Sequence, residues 1–332
     1  MVSAVIFVAT SCVSPLTGFA FWETNLAYEG ESIYNYLQVK NLSDRTILST
    51  NVLFGVQSVT MKDKGLTGMY YDTALAAPAL ADNANSALIL GMGTGTYARQ
   101  LKQYYPKMNI TGVEIDQKIT DLAGEYFDEP ADIPVTTYDG RAWLAASHDK
   151  YDVIMVDAYQ DITIPFQMSS TEFFTMVREH LNPGGVMVVN MNMISDGQGS
   201  INEALSDTIA SVFGNGNTLT ADVPNTTNRE LFAKKPGSGS EENSMQQASK
   251  ALNLRETTYE RTGSEDLEWY MEEVASRFRK VNEPDSASTI LTDDKAPVEV
   301  LGMHAIDQII ADEAGPYRQI LKDEGFGGLL RA

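Results

Sequence analysis

Residues 86–96 read Ser-Ala-Leu-Ile-Leu-Gly-Met-Gly-Thr-Gly-Thr. The run 87–90 is short, apolar and continuous, which predicts a strand buried on both faces. It passes into Gly91, Gly93 and Gly95, and then into a helical pattern over 96–105. Glycines at this spacing allow a sharp turn and a close approach of backbone to a ligand, and the start of the helix offers free N–H groups. Working outward, the alternation repeats. Strand patterns at 109–113, 133–137, 151–156 and 186–190 are interleaved with helical patterns at 118–127, 141–147, 170–181 and 201–213, and strands at 218–222 and 230–235 follow. Such an alternation predicts an α/β fold: a Rossmann-like, doubly wound, mostly parallel sheet covered on both faces. Its ligands are expected beyond the carboxyl ends of the strands, at the switch point.

Before this core, β-rich runs at 33–39, 46–49 and 56–60 predict a small antiparallel sheet, and an Ala-rich helix is expected over 69–80. After it, residues 236–243 (Pro-Gly-Ser-Gly-Ser-Glu-Glu-Asn) read as a linker. The acidic tail is helical in pattern, with Leu267, Tyr270, Met271, Val274, Phe278 and Val281 along one face. The organisation read from the sequence is an apolar segment 1–22, a β-domain 23–66, a Rossmann-like nucleoside-binding domain 67–236, and a linker with helical extension 237–332.

The chain has 332 residues and a formal net charge of −21, with 43% hydrophobic and 21% charged residues. It is long enough for a large core and too apolar for global disorder. The acidic surface disfavours nucleic acid and attracts cations, polyamines among them. One cysteine, Cys12, excludes an internal disulfide, and three scattered histidines give no metal-ligand spacing, so no metal is expected. Residues 2–21 carry no charge, yet Pro15, Gly18 and several hydroxyl residues interrupt them and no basic segment precedes them. Three readings of that stretch stay open: the end of a membrane module, a weak anchor, or an apolar strand-forming arm.

Four strand ends carry the candidate chemistry. Gly91, Gly93 and Gly95 form the turn after the first strand. Glu114 and Ile115 end the second strand, about twenty residues on, where a carboxylate can accept both hydroxyls of a ribose or simply face solvent at the strand end. The spacing departs from the longer dinucleotide fingerprint, which argues against a nicotinamide cofactor. Asp139 and Gly140 follow the third strand; Asp139 is placed to accept an adenine amine or to cap the next helix, and the two roles are compatible. Asp157 ends the fourth strand, where a carboxylate is placed to take a proton or to hold a cation. An ordinary loop-capping aspartate is the structural alternative there.

In this order the residues resemble the spermidine synthase (polyamine aminopropyltransferase) family over roughly 32–235. Ser32-Ile33-Tyr34-Asn35-Tyr36-Leu37-Gln38-Val39 is similar to the family's opening strand, with Asn35 at its nucleoside-contacting position. Phe54-Gly55-Val56-Gln57 and Met69-Tyr70-Tyr71-Asp72 fall where the family has further site motifs. The resemblance implies decarboxylated S-adenosylmethionine (or S-adenosylmethionine) as co-substrate, held by Asn35, Gln57, the glycine loop, Glu114, Ile115, Asp139 and Gly140. It implies Asp157 and Tyr71 as catalytic residues, and Asp72 and Tyr159 against a polyamine substrate. It also implies a homodimer and a cytoplasmic location. The apolar residues 2–21, with the tail 291–299 (Leu-Thr-Asp-Asp-Lys-Ala-Pro-Val-Glu), resemble a divergent branch whose synthase-like domain follows a membrane segment, which would allow membrane association through residues 2–21.

Two positions depart from the family pattern. Thr94 stands where the family has the aspartate that anchors the aminopropyl ammonium, and Ala158-Tyr159-Gln160-Asp161 replaces the usual loop after the catalytic aspartate. Both touch amine recognition and spare the adenosine contacts. The alternatives are therefore an S-adenosylmethionine-dependent methyltransferase and a non-catalytic nucleoside- or polyamine-binding module.

Overall fold

The computed structural model describes residues 23–51, 56–158, 164–191, 199–237, 244–286, 288–303 and 322. The expectations placed on residues 2–21, Phe54, Gly55 and Tyr159 fall outside the described residues. Four antiparallel strands come first: β1 (Leu26–Glu31), β2 (Tyr36–Asn41), β3 (Arg45–Thr50) and β4 (Ser58–Met61). Leu37, Val39 and Leu48 on one face pack on Ile119, Leu122 and Phe127 of the larger body, which seats this sheet as a roof. β1 escapes a reading by alternation because most of its residues are only half-buried.

The helix expected over 69–80 is two short helices, α1 (Tyr70–Ala74) and α2 (Ala76–Leu80). Pro78 has no N–H for the Ala74 carbonyl and its ring crowds that oxygen, so one helix ends and a second starts with the proline in its first turn. The α/β core follows as β5 (Ser86–Leu90), α3 (Thr96–Tyr104), β6 (Asn109–Glu114), α4 (Gln117–Tyr126), β7 (Val135–Thr137), α5 (Gly140–Ala146), β8 (Tyr151–Val156), α6 (Thr171–His180), β9 (Leu181–Met191), α7 (Ile201–Phe213), β10 (Thr218–Asp222) and β11 (Arg229–Lys234). The chain closes with α8 (Ser244–Ala248), α9 (Ala251–Thr262), α10 (Glu265–Arg277) and β12 (Phe278–Lys280).

The large sheet has the order β12-β10-β11-β9-β8-β5-β6-β7. β7, β6, β5, β8 and β9 are parallel, and β11, β10 and β12 add antiparallel strands. Alternate residues of each strand feed opposite cores: Ala87 and Ile89 face one, Leu88 and Leu90 the other. From β5 the chain runs first toward β6 and β7 and later toward β8 and β9, so the switch point lies between β5 and β8. The helical pattern over 267–281 ends earlier than its periodicity suggests. Phe278 packs edge-on against Phe232 at 5.6 Å, and Phe278–Lys280 covers the free edge of β10. Among the described residues no helix is long and apolar enough to cross a membrane.

Candidate active site

A cavity of about 340 Å³ opens at the carboxyl ends of β5, β6 and β8, beneath the small sheet. That is enough room for a small-molecule ligand. The first wall is the glycine turn. Gly91 and Gly93 have φ of 87° and 56°, a region that favours glycine. A Cβ on Gly91 would run into the Asp157 carbonyl, and one on Gly93 would lie 2.7 Å from Ser58 Oγ. Arg99 fixes the turn from below, donating to the Thr94 carbonyl at 2.7 Å and to the Val59 carbonyl at 2.8 Å. Thr96 Oγ1 also donates to the Val59 carbonyl, at 2.7 Å, so the start of α3 is tied to the roof.

The second wall is the end of β6. Glu114 is buried, and it accepts from the Gly93 N–H at 2.8 Å and from the Asp116 N–H at 3.0 Å. Burial raises its carboxyl above the ordinary value and the backbone N–H groups oppose that rise. Asp116 caps α4 through the Lys118 N–H and accepts from Ser32 Oγ at 2.5 Å and Asn35 Nδ2 at 3.1 Å. Asn35 in turn accepts from Asn51 Nδ2 at 3.0 Å. The roof and the strand end are thus one hydrogen-bonded unit. Asp139 caps α5 by accepting from the Ala142 N–H at 2.7 Å, and its residue lines the cavity with Gly140 and Ile115. Arg141, next in the chain, pairs with Asp293 at 2.8 and 2.6 Å and donates to the Gln167 carbonyl at 2.7 Å, tying the C-terminal segment beside the cavity.

The third wall is the end of β8. Asp157 faces the cavity and accepts from Tyr70 Oη at 2.6 Å and from Asn190 Nδ2 at 2.9 Å. Asn190 accepts from Asn228 Nδ2 at 2.8 Å. Burial raises the Asp157 carboxyl to about 6, against the two hydrogen bonds, which lower it. Such a group is ionised near neutral pH and is still a competent proton acceptor. The Tyr70 and Tyr71 rings lie beside it with centroids 4.0 Å apart, and burial pushes both hydroxyls well up, so both are neutral donors.

Of the residues predicted from sequence, Asn35, Gln57, Tyr71, Gly91, Gly93, Glu114, Ile115, Asp139, Gly140 and Asp157 all line this cavity. Three assignments change. The tyrosine that bonds Asp157 is Tyr70, while Tyr71 Oη donates to the Gln57 carbonyl at 2.8 Å. Asp72 is buried outside the cavity, where it accepts from Thr67 N and Oγ1 at 2.9 Å, from Gly68 N at 2.7 Å and from Gln100 Nε2; it holds the 67–68 loop and has no face left for an amine. Gly95 caps α3 with φ 79° and does not line the cavity. Tyr70, Asn190 and Asn228, which the sequence reading does not single out, form the hydrogen-bonded row around Asp157. Asn190 lies on β9 next to Asp157, near the carboxyl end of its strand like Asp157 itself, and that position is the signal in the sequence that points to it.

Residues 69–235, about half of the chain, match the model of the spermine/spermidine synthase domain. The chain belongs to the spermine/spermidine synthase family. Among curated members, a polyamine aminopropyltransferase of Corynebacterium efficiens is 37% identical over 131 residues, covering 36% of this chain and 25% of that one. A polyamine aminopropyltransferase of Vibrio vulnificus is 28% identical over 209 residues, 60% of this chain and 69% of that one. This family member thus spans only a quarter of the Corynebacterium efficiens protein's length. A probable spermidine synthase from Corynebacterium glutamicum shares the fold, with a TM-score of 0.56 and 22% identity over 80% of this chain and 99% of that one.

Proposed function

We propose that this member of the spermine/spermidine synthase family is an aminopropyltransferase, moving an aminopropyl group from decarboxylated S-adenosylmethionine to a di- or polyamine. The observation that carries the reading is the pairing, in one cavity, of a ribose-type carboxylate, Glu114, with a buried proton acceptor, Asp157, held by Tyr70 and Asn190. The residues present fit a nucleoside. Gly91 and Gly93 form a cradle that a Cβ would fill, Glu114 stands at the strand end, and Asp139 and Ile115 frame a flat base site. Asn35 and Gln57 face the same ligand from the roof.

The bound sulfonium supplies an electrophilic methylene carbon and a neutral thioether leaving group. The amine nitrogen forms a bond to that carbon as the carbon–sulfur bond breaks, and the bonding pair stays on sulfur, giving methylthioadenosine. Asp157 accepts the proton that the nitrogen must lose. Tyr70 and Asn190 each hold one oxygen of Asp157 and so fix the orientation of the carboxylate toward the amine. The tyrosine faces attract a cationic centre, and the surrounding walls exclude water that would protonate the amine. Most of the rate would come from alignment and from keeping the amine neutral.

Thr94 gives the methyl-transfer alternative its one foothold, since it stands where an aminopropyl ammonium would find an aspartate; its hydroxyl is buried with no partner among the described residues. Calorimetry with decarboxylated and intact S-adenosylmethionine separates the two. Tighter binding of the decarboxylated form is expected, and tighter binding of the intact form overturns the reading. By family resemblance a homodimer is proposed as the working assembly, to be checked by sedimentation.

A further inference from the structure

The C-terminal segment reaches the base end of the cavity. Leu291 is buried in the core; its carbonyl accepts from the Thr171 N–H at 2.9 Å and its N–H donates to Thr208 Oγ1 at 2.9 Å. Thr292 and Lys295 close a tight turn through their backbones, at 3.0 and 2.9 Å. Asp293 stands on that turn, beyond the residues 69–235 that match the family domain. Its carboxylate accepts from Arg141 through both oxygens, at 2.8 and 2.6 Å, and from Ser170 Oγ at 2.5 Å. Its N–H donates to Glu172 Oε2 at 3.1 Å. One side chain thus ties together the starts of α5 and α6.

Both starts border the cavity. Asp139 and Gly140 line it at α5, and Gln167 and Met168 line it just before α6. A Cβ on Gly140 would lie 3.6 Å from Met168 Cε, so the two walls meet closely. Arg141 bridges them: it follows Gly140 in the chain and donates to the Gln167 carbonyl at 2.7 Å. Yet an arginine is an awkward neighbour for Asp139. It stands in the first turn of α5, the positive end of the helix, where a cation is disfavoured and needs a counter-ion. The Asp293 hydrogen bonds raise the guanidinium above its ordinary value, against burial, and the charges of Asp293, Glu172 and Asp139 add to the rise, so three carboxylates lie within its electrostatic reach. Glu172 already holds the Thr171 hydroxyl and the Asp293 N–H. Asp139 gives Oδ1 to the Ala142 N–H, and its Oδ2 has no partner among the described residues. A guanidinium released by Asp293 therefore finds an open acceptor two residues away.

We infer that Asp293 is a positioning residue for the base end of the site: by holding Arg141 on itself and on the Gln167 carbonyl, it keeps Asp139 open to the amino group of an adenine. This rests on the nucleoside reading above. The bidentate geometry is what the role requires, since a planar guanidinium bonded through two nitrogens to one carboxylate is fixed in direction as well as in place. With Asp293 gone, Arg141 neutralises Asp139 and presents donors of its own where the base sits. The site then loses its reason to choose an amino group over a carbonyl at that edge of the purine.

The test measures calorimetric Kd values for 5′-methylthioadenosine and 5′-methylthioinosine, whose 6-oxo group would face the Asp139 carboxylate. The full chain is used as wild type, Asp293→Ala, Asp293→Asn, Arg141→Ala and the Asp293→Ala/Arg141→Ala double variant. The wild type is expected to prefer the adenine nucleoside by about tenfold or more, as for one hydrogen bond to a charged group. That preference should collapse toward parity in Asp293→Ala and fall part-way in Asp293→Asn, which keeps the shape of the clasp without its charge. It should return to the wild-type ratio in the double variant and stay there in Arg141→Ala, while both nucleosides bind more weakly in these two because the tie to Gln167 is lost. A merely structural role for Asp293 weakens both nucleosides alike and leaves the ratio untouched. An unchanged ratio in Asp293→Ala, or a ratio that stays collapsed in the double variant, overturns the inference. A wild type that binds neither nucleoside, or binds both equally, overturns the base-site reading instead, and the role of Asp293 falls with it.

Discussion

The two halves of the cavity are built in opposite ways. Around Glu114 nearly every polar group is already bonded: backbone N–H groups of Gly93 and Asp116 hold the carboxylate, and Asp116 holds Ser32 and Asn35 of the roof. Around Asp157 the partners are side chains reaching across strands, Tyr70, Asn190 and Asn228. Under the proposed function, the half fixed by backbone holds the part of the ligand that stays constant, the nucleoside. Under the proposed function, the half built from a side-chain carboxyl and neutral donors is the one that meets the amine.

The largest expected effect breaks the reactive half alone. Asp157→Asn should lower turnover by about 10²–10⁴-fold, the usual contribution of a proton acceptor, while calorimetry finds methylthioadenosine binding within a few-fold of wild type. Full activity in that variant would remove Asp157 from the mechanism. The complementary change, Glu114→Ala, should weaken nucleoside binding by about 1–3 kcal/mol, the cost of losing a charged hydrogen-bond partner; no change in Kd would put the ribose elsewhere. Gly91→Ala tests the backbone half. A side chain at φ 87° costs about 1–3 kcal/mol before the collision with the Asp157 carbonyl is counted, so thermal unfolding should occur well below the wild-type temperature.

Smaller effects sharpen the boundary between the halves. Tyr70→Phe removes the hydroxyl on Asp157 and should cost about tenfold in kcat, as for one hydrogen bond to a charged group. Tyr71→Phe should cost clearly less, because its hydroxyl is spent on the Gln57 carbonyl. Equal losses in both variants would show that the two rings act by packing alone. Acidity gives a further separation. With its carboxyl raised to about 6, Asp157 is ionised above that pH, so kcat/KM for the amine should fall as pH drops below about 6. The same rise makes the folded state bind more protons than the unfolded state between about pH 4 and 6, where Asp157 costs stability progressively as pH rises. Asp157→Asn should therefore unfold at a higher temperature than wild type above pH 6, with the gap closing toward pH 4.

What was legible in the sequence follows the same division. The alternation around residues 86–96 gives the parallel sheet and its switch point, because buried parallel strands must be short apolar runs separated by helices. The cavity wall proposed for the nucleoside was legible residue by residue, since Gly91, Gly93, Glu114 and Asp139 line it from positions fixed by strand ends and helix starts. The reactive half was not. Tyr70 and Tyr71 are neighbours in sequence, and only the break of the helix before Pro78 and the packing of α1 decide which hydroxyl meets Asp157. Asp72 is a buried anchor for its own loop, which no spacing reveals. β12 was hidden because a free sheet edge three strands beyond β8 captured the end of an amphipathic helix.

The most direct test of the central claim is mass spectrometry of the products formed from a diamine with decarboxylated or intact S-adenosylmethionine. The account predicts an amine heavier by one aminopropyl group, with an equal amount of methylthioadenosine, from the decarboxylated donor only. A methylated product from the intact donor, with no methylthioadenosine, would contradict it.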